Sequence, residues 1–161
     1  HPEYRRQRQM CIRDSRNRMM MFLEKYKNKY NIKIVPEACY DSSIANEDLS
    51  TLINQSHLTI ACCSIADVLL HKYLEISASG SIILGNIPSD YRNMFENRVV
   101  EIDEFMGDEE INFKIDYALA NKRLLSSMSS NLKTEISRKH TLECAVNNFS
   151  SVVNDIFEHQ P

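Results

Sequence analysis

With 161 residues, 43% of them hydrophobic and 25% charged, the chain has material for one domain with a real core, and no apolar run is long enough to span a bilayer. Its formal net charge of −3 is uneven: Arg5, Arg6, Arg8 and Arg13 against Glu3 and Asp14 give residues 1–15 a charge of +2, and the rest carries −5. So acidic a body excludes the basic footprint of a nucleic-acid binder.

Five cysteines (Cys11, Cys39, Cys62, Cys63 and Cys144) form no C-x-x-C pair and have no histidine set nearby. That speaks against a metal or disulfide framework and for free thiols in a reducing cytoplasm. No secretory signal is visible, and a first residue of His1 rather than Met marks a fragment or a trimmed sequence. Residues 1–15 read as a linker or an artefactual segment, because residues 8–15 (RQMCIRDS) look like a translated sequencing adapter; residues 16–161 read as a single domain.

From Arg16 the pattern turns regular. Met19, Phe22, Leu23, Tyr26 and Tyr30 fall at helical spacing, with lysines on the outer face. Residues 32–35 read as a short strand stopped by Pro36. A loop through Asp41, Ser42 and Ser43 leads to Asn46, an N-cap candidate, with Glu47 and Asp48 in the first turn and Leu49, Leu52 and Ile53 as the buried stripe. Residues 57–63 (HLTIACC) lack alternation, as a strand buried on both faces does. A helix over 68–79, a strand over 81–85, a turn at Asn86-Ile87-Pro88, a short helix or loop over 92–97 and a strand over 98–102 follow. This alternation predicts an α/β domain, a parallel sheet flanked by helices.

After Gly107 only helices are expected. The first covers 109–120; the second carries Leu124, Leu125, Met128, Leu132 and Ile136. The third, capped by Thr141, carries the cleanest stripe in the chain, from Leu142 through Val146, Phe149, Val152 and Val153 to Ile156. These terminal helices form either a helical cap or an arm reaching to another domain.

The chemistry-bearing run is HKYLEISASG, residues 71–80, followed at once by SIILG, residues 81–85. Ser64-Ile65-Ala66-Asp67 is expected to open the helix at the carboxyl end of a parallel strand. Unpaired amides and the positive end of the helix dipole there favour phosphate. Glu75, a single acid that reads as inward-facing, has the geometry to accept hydrogen bonds from two adjacent ribose hydroxyls. Gly80 supplies the positive φ that ends the helix. Each residue also has a plainer reading: Glu75 as a surface acid, Lys72 as a solvated lysine, and Ser64-x-x-Asp67 as a variant capping box. Tyr73 reads as packing.

The KYLEISASGSIIL run resembles the donor-binding domain of GT-B glycosyltransferases, nearest to the spore-maturation-type subgroup of the glycosyl transferases group 1 clan. Residues 96–102 (ENRVVEI) and the Arg138-Lys139-His140-Thr141 helix start resemble further segments of that family, so the likeness runs over roughly residues 16–158. The resemblance implies a Rossmann-like domain, the C-terminal half of a GT-B fold, binding a nucleoside diphosphate sugar as substrate with no cofactor and no metal. It implies an acid pair in which the second acid, here Glu75, holds the ribose. The first position holds Asp67 instead of the usual glutamate, one methylene shorter. Lys72 would neutralise the diphosphate and Ser64 would face it. The acceptor site would belong to a separate N-terminal domain, so little transferase activity is expected from this chain alone. The competing reading is a non-catalytic flavodoxin-like binding or regulatory module, although the strand ending at Cys63 lacks the terminal aspartate of a receiver domain.

Overall fold

The computed structural model describes residues 18–34, 46–62, 67–103 and 105–158. In chain order these form helix α1 (18–26), α2 (Asn46–Asn54), strand β1 (Leu58–Ile60), α3 (His71–Ser79), β2 (Ile82–Gly85), a 3-10 turn at Ser89–Tyr91, α4 (Arg92–Phe95), β3 (Val100–Glu101), α5 (Asp108–Ala120), α6 (Lys122–Lys139) and α7 (Leu142–Glu158). The strands make one parallel sheet in the order β1-β2-β3, with Leu58 opposite Ile82 and Leu84 opposite Val100. The α/β architecture expected from the alternation of elements is the one observed.

The central strand explains why the sheet needs two covered faces. All four residues of β2 are buried. A strand's period of two sends Ile82 and Leu84 to one face and Ile83 to the other. Ile82 and Leu84 join Met19 and Phe22 of α1 and Ile111 and Ile115 of α5 in one core layer. Ile83 joins Tyr73 and Ile76 of α3, Phe95 and Leu132 in the second. Helix α6 serves both, giving Leu125 and Met128 to the first layer and Leu132 and Ile136 to the second. Leu124, expected in that stripe, is exposed instead.

Several boundaries differ from expectation. Residues 31–34 carry no regular structure and Ile34 is exposed, while Val35 lies outside the described residues. A β-branched run becomes a strand only where a neighbour offers ladder partners, and no described strand pairs with this one. The strand expected over 98–102 is confined to Val100 and Glu101, because Asn97 takes a left-handed turn at φ 59° just before it. The helix expected from 68 starts at His71; Leu70 is extended at φ −92°, ψ 148°. The side chains of Asn46 and Glu47, expected to cap α2, lie outside the described residues, and its stripe of Leu49, Leu52 and Ile53 is only half-buried.

At the amino end of the third terminal helix the expectation holds: the Thr141 hydroxyl accepts from the Cys144 amide at 3.2 Å. The stripe that follows is not buried. Leu142, Val146, Phe149, Val152 and Ile156 are 53–82% exposed. No helix among the described residues is long and apolar enough to cross a membrane.

Candidate functional site

Because the three strands are parallel, their carboxyl ends share one edge, formed by residues 61–62, 86–89 and 102–103. Ligands of open α/β sheets gather at such an edge. Two features build it here. Gly85, the last residue of β2, lies so close to β1 that a Cβ on it would sit 1.6 Å from the Ala61 carbonyl oxygen. Tyr73, fully buried in the first turn of α3, donates its hydroxyl to the Asn86 carbonyl at 2.8 Å and approaches the Ala61 carbonyl at 3.2 Å. One phenol therefore ties the ends of β1 and β2 to the helix above them.

Asp67 crosses the same edge by another route. It sits in the left-handed region at φ 52°, a conformation that aspartate tolerates better than most residues. Its carboxylate accepts from the Ser89 amide at 3.1 Å, joining the segment after β1 to the turn after β2. This corrects the capping-box reading, since α3 begins four residues later and Leu70 is its N-cap residue. Ser64, the other half of that box and a donor-site candidate, lies outside the described residues.

Helix α3 begins at this edge. It has no side-chain cap at Leu70 and no acid in its first turn. The Tyr73 amide donates to the Leu70 carbonyl at 3.0 Å, and no acid of the first turn offsets the positive end of the dipole. Lys72, half-buried, stands in that first turn. Glu75 does not face inward as expected. Tyr73, Ile76 and Ser77 are the buried residues of α3, so Glu75 shares the solvent face with His71 and Ala78. It lies roughly 6 Å along the axis from His71 at 1.5 Å per residue. Helical side chains lean toward the amino end, so its carboxylate is carried back toward the first turn.

The other end of α3 is closed firmly. Gly80 has φ 86°, the Asn54 amide nitrogen donates to the Ser79 carbonyl at 2.6 Å, and the Ser129 hydroxyl donates to the Gly80 carbonyl at 2.7 Å. The expected role of Gly80 is thus observed. On the far side of the carboxyl edge, Arg92 of α4 pairs with Glu101 of β3 at 2.7 Å.

Asp67, Lys72 and Glu75 accordingly follow one another along the segment that enters α3, two of them in its first two turns. Sequence reasoning misses the framing residues: it gives Tyr73 packing alone, Asn86 only a place in a turn, and Ser89 no role. The Asn86-Ile87-Pro88 turn directly after a buried strand was the available signal. Two shallow depressions lie elsewhere, one beside Met20, Met21, Glu24 and Lys25, the other beside Ser50, Thr51, Asn54, Ala78, Ser79 and Lys133. Among the described residues no group of three His, Cys, Asp or Glu side chains is placed to hold a metal ion, and the Cys144 thiol donates to the Arg138 carbonyl at 3.1 Å. A family model described as glycosyl transferase-like matches residues 8–150. No curated protein and no solved structure matches the chain.

Proposed function

This chain belongs to the glycosyl transferase-like family, and we propose that its domain holds the nucleoside diphosphate sugar donor at the carboxyl edge of the sheet. The observation that carries this reading is the amino end of α3, which lies at the carboxyl edge of the sheet and has Lys72 and no acid in its first turn. The diphosphate lies at the positive end of the α3 dipole, and the Lys72 ammonium offsets its charge. Glu75, in the next turn and leaning the same way, accepts from the two ribose hydroxyls. The ribose then approaches over the outer face of α3, where Glu75 is accessible. Asp67 acts by holding the post-β1 segment to Ser89, and so sets the path of the chain into the helix.

In this reading the domain stabilises the departing nucleoside diphosphate while the sugar passes to a glycan, lipid or protein acceptor held by a separate domain. Charge developing on the leaving phosphate meets the positive end of a helix dipole and an ammonium in the same turn, which is how fixed charges and dipoles lower such barriers. No bound metal is needed for that step.

The test is calorimetric titration of the chain with UDP, GDP and ADP. One of the three should bind, and Glu75→Gln should weaken it about 10- to 100-fold, the worth of charge-assisted hydrogen bonds of 1.5–3 kcal/mol. Because Glu75 is exposed, the substitution should leave the unliganded melting temperature unchanged. Binding by none of the three nucleotides, or equal binding by Glu75→Gln, overturns the proposal.

A further inference from the structure

His71 is the first residue of α3, and the fold gives it no task. Its side chain is exposed, and no described residue hydrogen-bonds or ion-pairs with it. Histidine is an indifferent helix former, and a basic side chain in the first turn stands at the unfavourable end of the dipole. Neither packing, capping nor helix propensity therefore accounts for an imidazole at this position.

Its place relative to Glu75 is specific. At roughly 100° per residue, His71 and Glu75 lie about 40° apart around the axis, and Lys72 lies about 60° to the other side of Glu75. His71 and Glu75 share the face turned away from the buried Tyr73, Ile76 and Ser77. They are separated by roughly 6 Å along the axis, and both side chains lean toward the amino end. In a nucleotide, the ribose diol and the phosphate on the exocyclic carbon stand about 5–6 Å apart at ordinary single-bond lengths. A ribose held by Glu75 thus brings the phosphate nearest the sugar to His71, and the outer phosphate turns toward Lys72.

We propose that His71 is a second phosphate-binding residue of the donor site, donating an imidazole N–H to the phosphate nearest the ribose while Lys72 serves the outer one. Imidazole offers an N–H in either protonation state. A bond from it to a charged oxygen is stronger than one between neutral groups. The phosphate in turn supplies the negative charge that the acid-free first turn lacks. Each polar part of a nucleoside diphosphate then has its own residue on α3: the diol Glu75, the inner phosphate His71 and the outer phosphate Lys72.

This assignment rests on the donor reading above, and one set of calorimetric titrations separates the two. The ligands are UDP, GDP and ADP, followed by the monophosphate of whichever binds, read by competition where its own heat is small. His71→Ala should weaken the diphosphate and the monophosphate alike, by about 10-fold, the lower range for a hydrogen bond to a charged group. His71→Gln keeps an N–H at similar reach and should recover most of that loss. Lys72→Met should weaken the diphosphate and spare the monophosphate. By circular dichroism, His71→Ala should melt with the wild type. A wild-type chain that binds none of the three diphosphates overturns the donor reading and this assignment with it. Nucleotide binding that His71→Ala leaves unchanged overturns the assignment alone, as does a loss confined to the diphosphate or one that His71→Gln fails to recover.

Discussion

Replacing Gly85 with alanine should damage this protein more than any other single-methyl addition to β2. The added Cβ would lie 1.6 Å from the Ala61 oxygen and 2.8 Å from the Ala61 carbonyl carbon. Both are backbone atoms at the end of a paired strand, so no side chain can swing aside. Restoring contact at about 3.5 Å requires β1 and β2 to part by roughly 2 Å. That movement breaks the bond from the Ala61 amide to the Leu84 carbonyl, 3.2 Å, and withdraws the Ala61 carbonyl from the Tyr73 hydroxyl. Two hydrogen bonds at about 1 kcal/mol each, added to about 1–3 kcal/mol for overpacking, give about 3–5 kcal/mol.

Against a total stability of about 5–15 kcal/mol, such a loss leaves a marginal fold. For a chain of this size it corresponds to a fall of about 6–20 °C in Tm, measurable by circular dichroism. Gly107→Ala is the control. Its φ is −68° and a Cβ there would meet nothing within 4 Å, so the cost should stay below about 1 kcal/mol. A Gly85→Ala chain melting within about 2 °C of the wild type would show that the strand ends are not packed this closely.

Tyr73→Phe removes the hydroxyl that ties Asn86 and Ala61 to α3; it should cost about 1–3 kcal/mol in urea unfolding, and a neutral result would mean those carbonyls find other donors. Acid should loosen α1 from α5: Lys25 and Arg18 hold the Asp108 carboxyl below the usual carboxylate range, and Lys29 with the Tyr30 hydroxyl does the same for Asp116. A depressed folded pKa contributes stability that is present above the unfolded value near 4 and lost as pH falls through the lower folded value. Unfolding free energy should therefore drop below about pH 4, and the drop should be shallower in Asp108→Asn; an unchanged slope would argue against these pairs.

The sheet was legible because its central strand is short, continuous and apolar, and because glycines bracket it. Ile82, Ile83 and Leu84 could be buried on both faces only in a parallel sheet with helices above and below. What sequence could not reveal was where each neighbour stops. Residues 32–34 have the composition of a strand and lack a described partner. Residues 67–70 have the composition of a helix start, yet Asp67 turns left-handed to reach Ser89, a contact 22 residues away in the chain. Long-range hydrogen bonds of this kind override local propensity and leave no local trace. The stripe on α7 shows the opposite failing: periodicity reveals that a helix is amphipathic but not whether its own chain covers it.

The run from His71 to Gly85 divides into residues that the fold explains and residues that it does not. Tyr73 and Ile76 fill the second core layer, and the Ser77 hydroxyl donates to the Tyr73 carbonyl at 2.6 Å. Gly80 turns the chain, Ser81 and Thr59 share a 2.7 Å bond between strands, and Gly85 admits the Ala61 carbonyl. A recognisable sequence run is therefore mostly a recipe for joining this helix to this strand. Glu75 stands outside the recipe: no described residue hydrogen-bonds or ion-pairs with it, and it fills no core position. If the proposed donor site is right, Glu75 is the position where stability and binding separate: its substitution should alter nucleotide affinity while leaving every contact that builds the sheet edge in place.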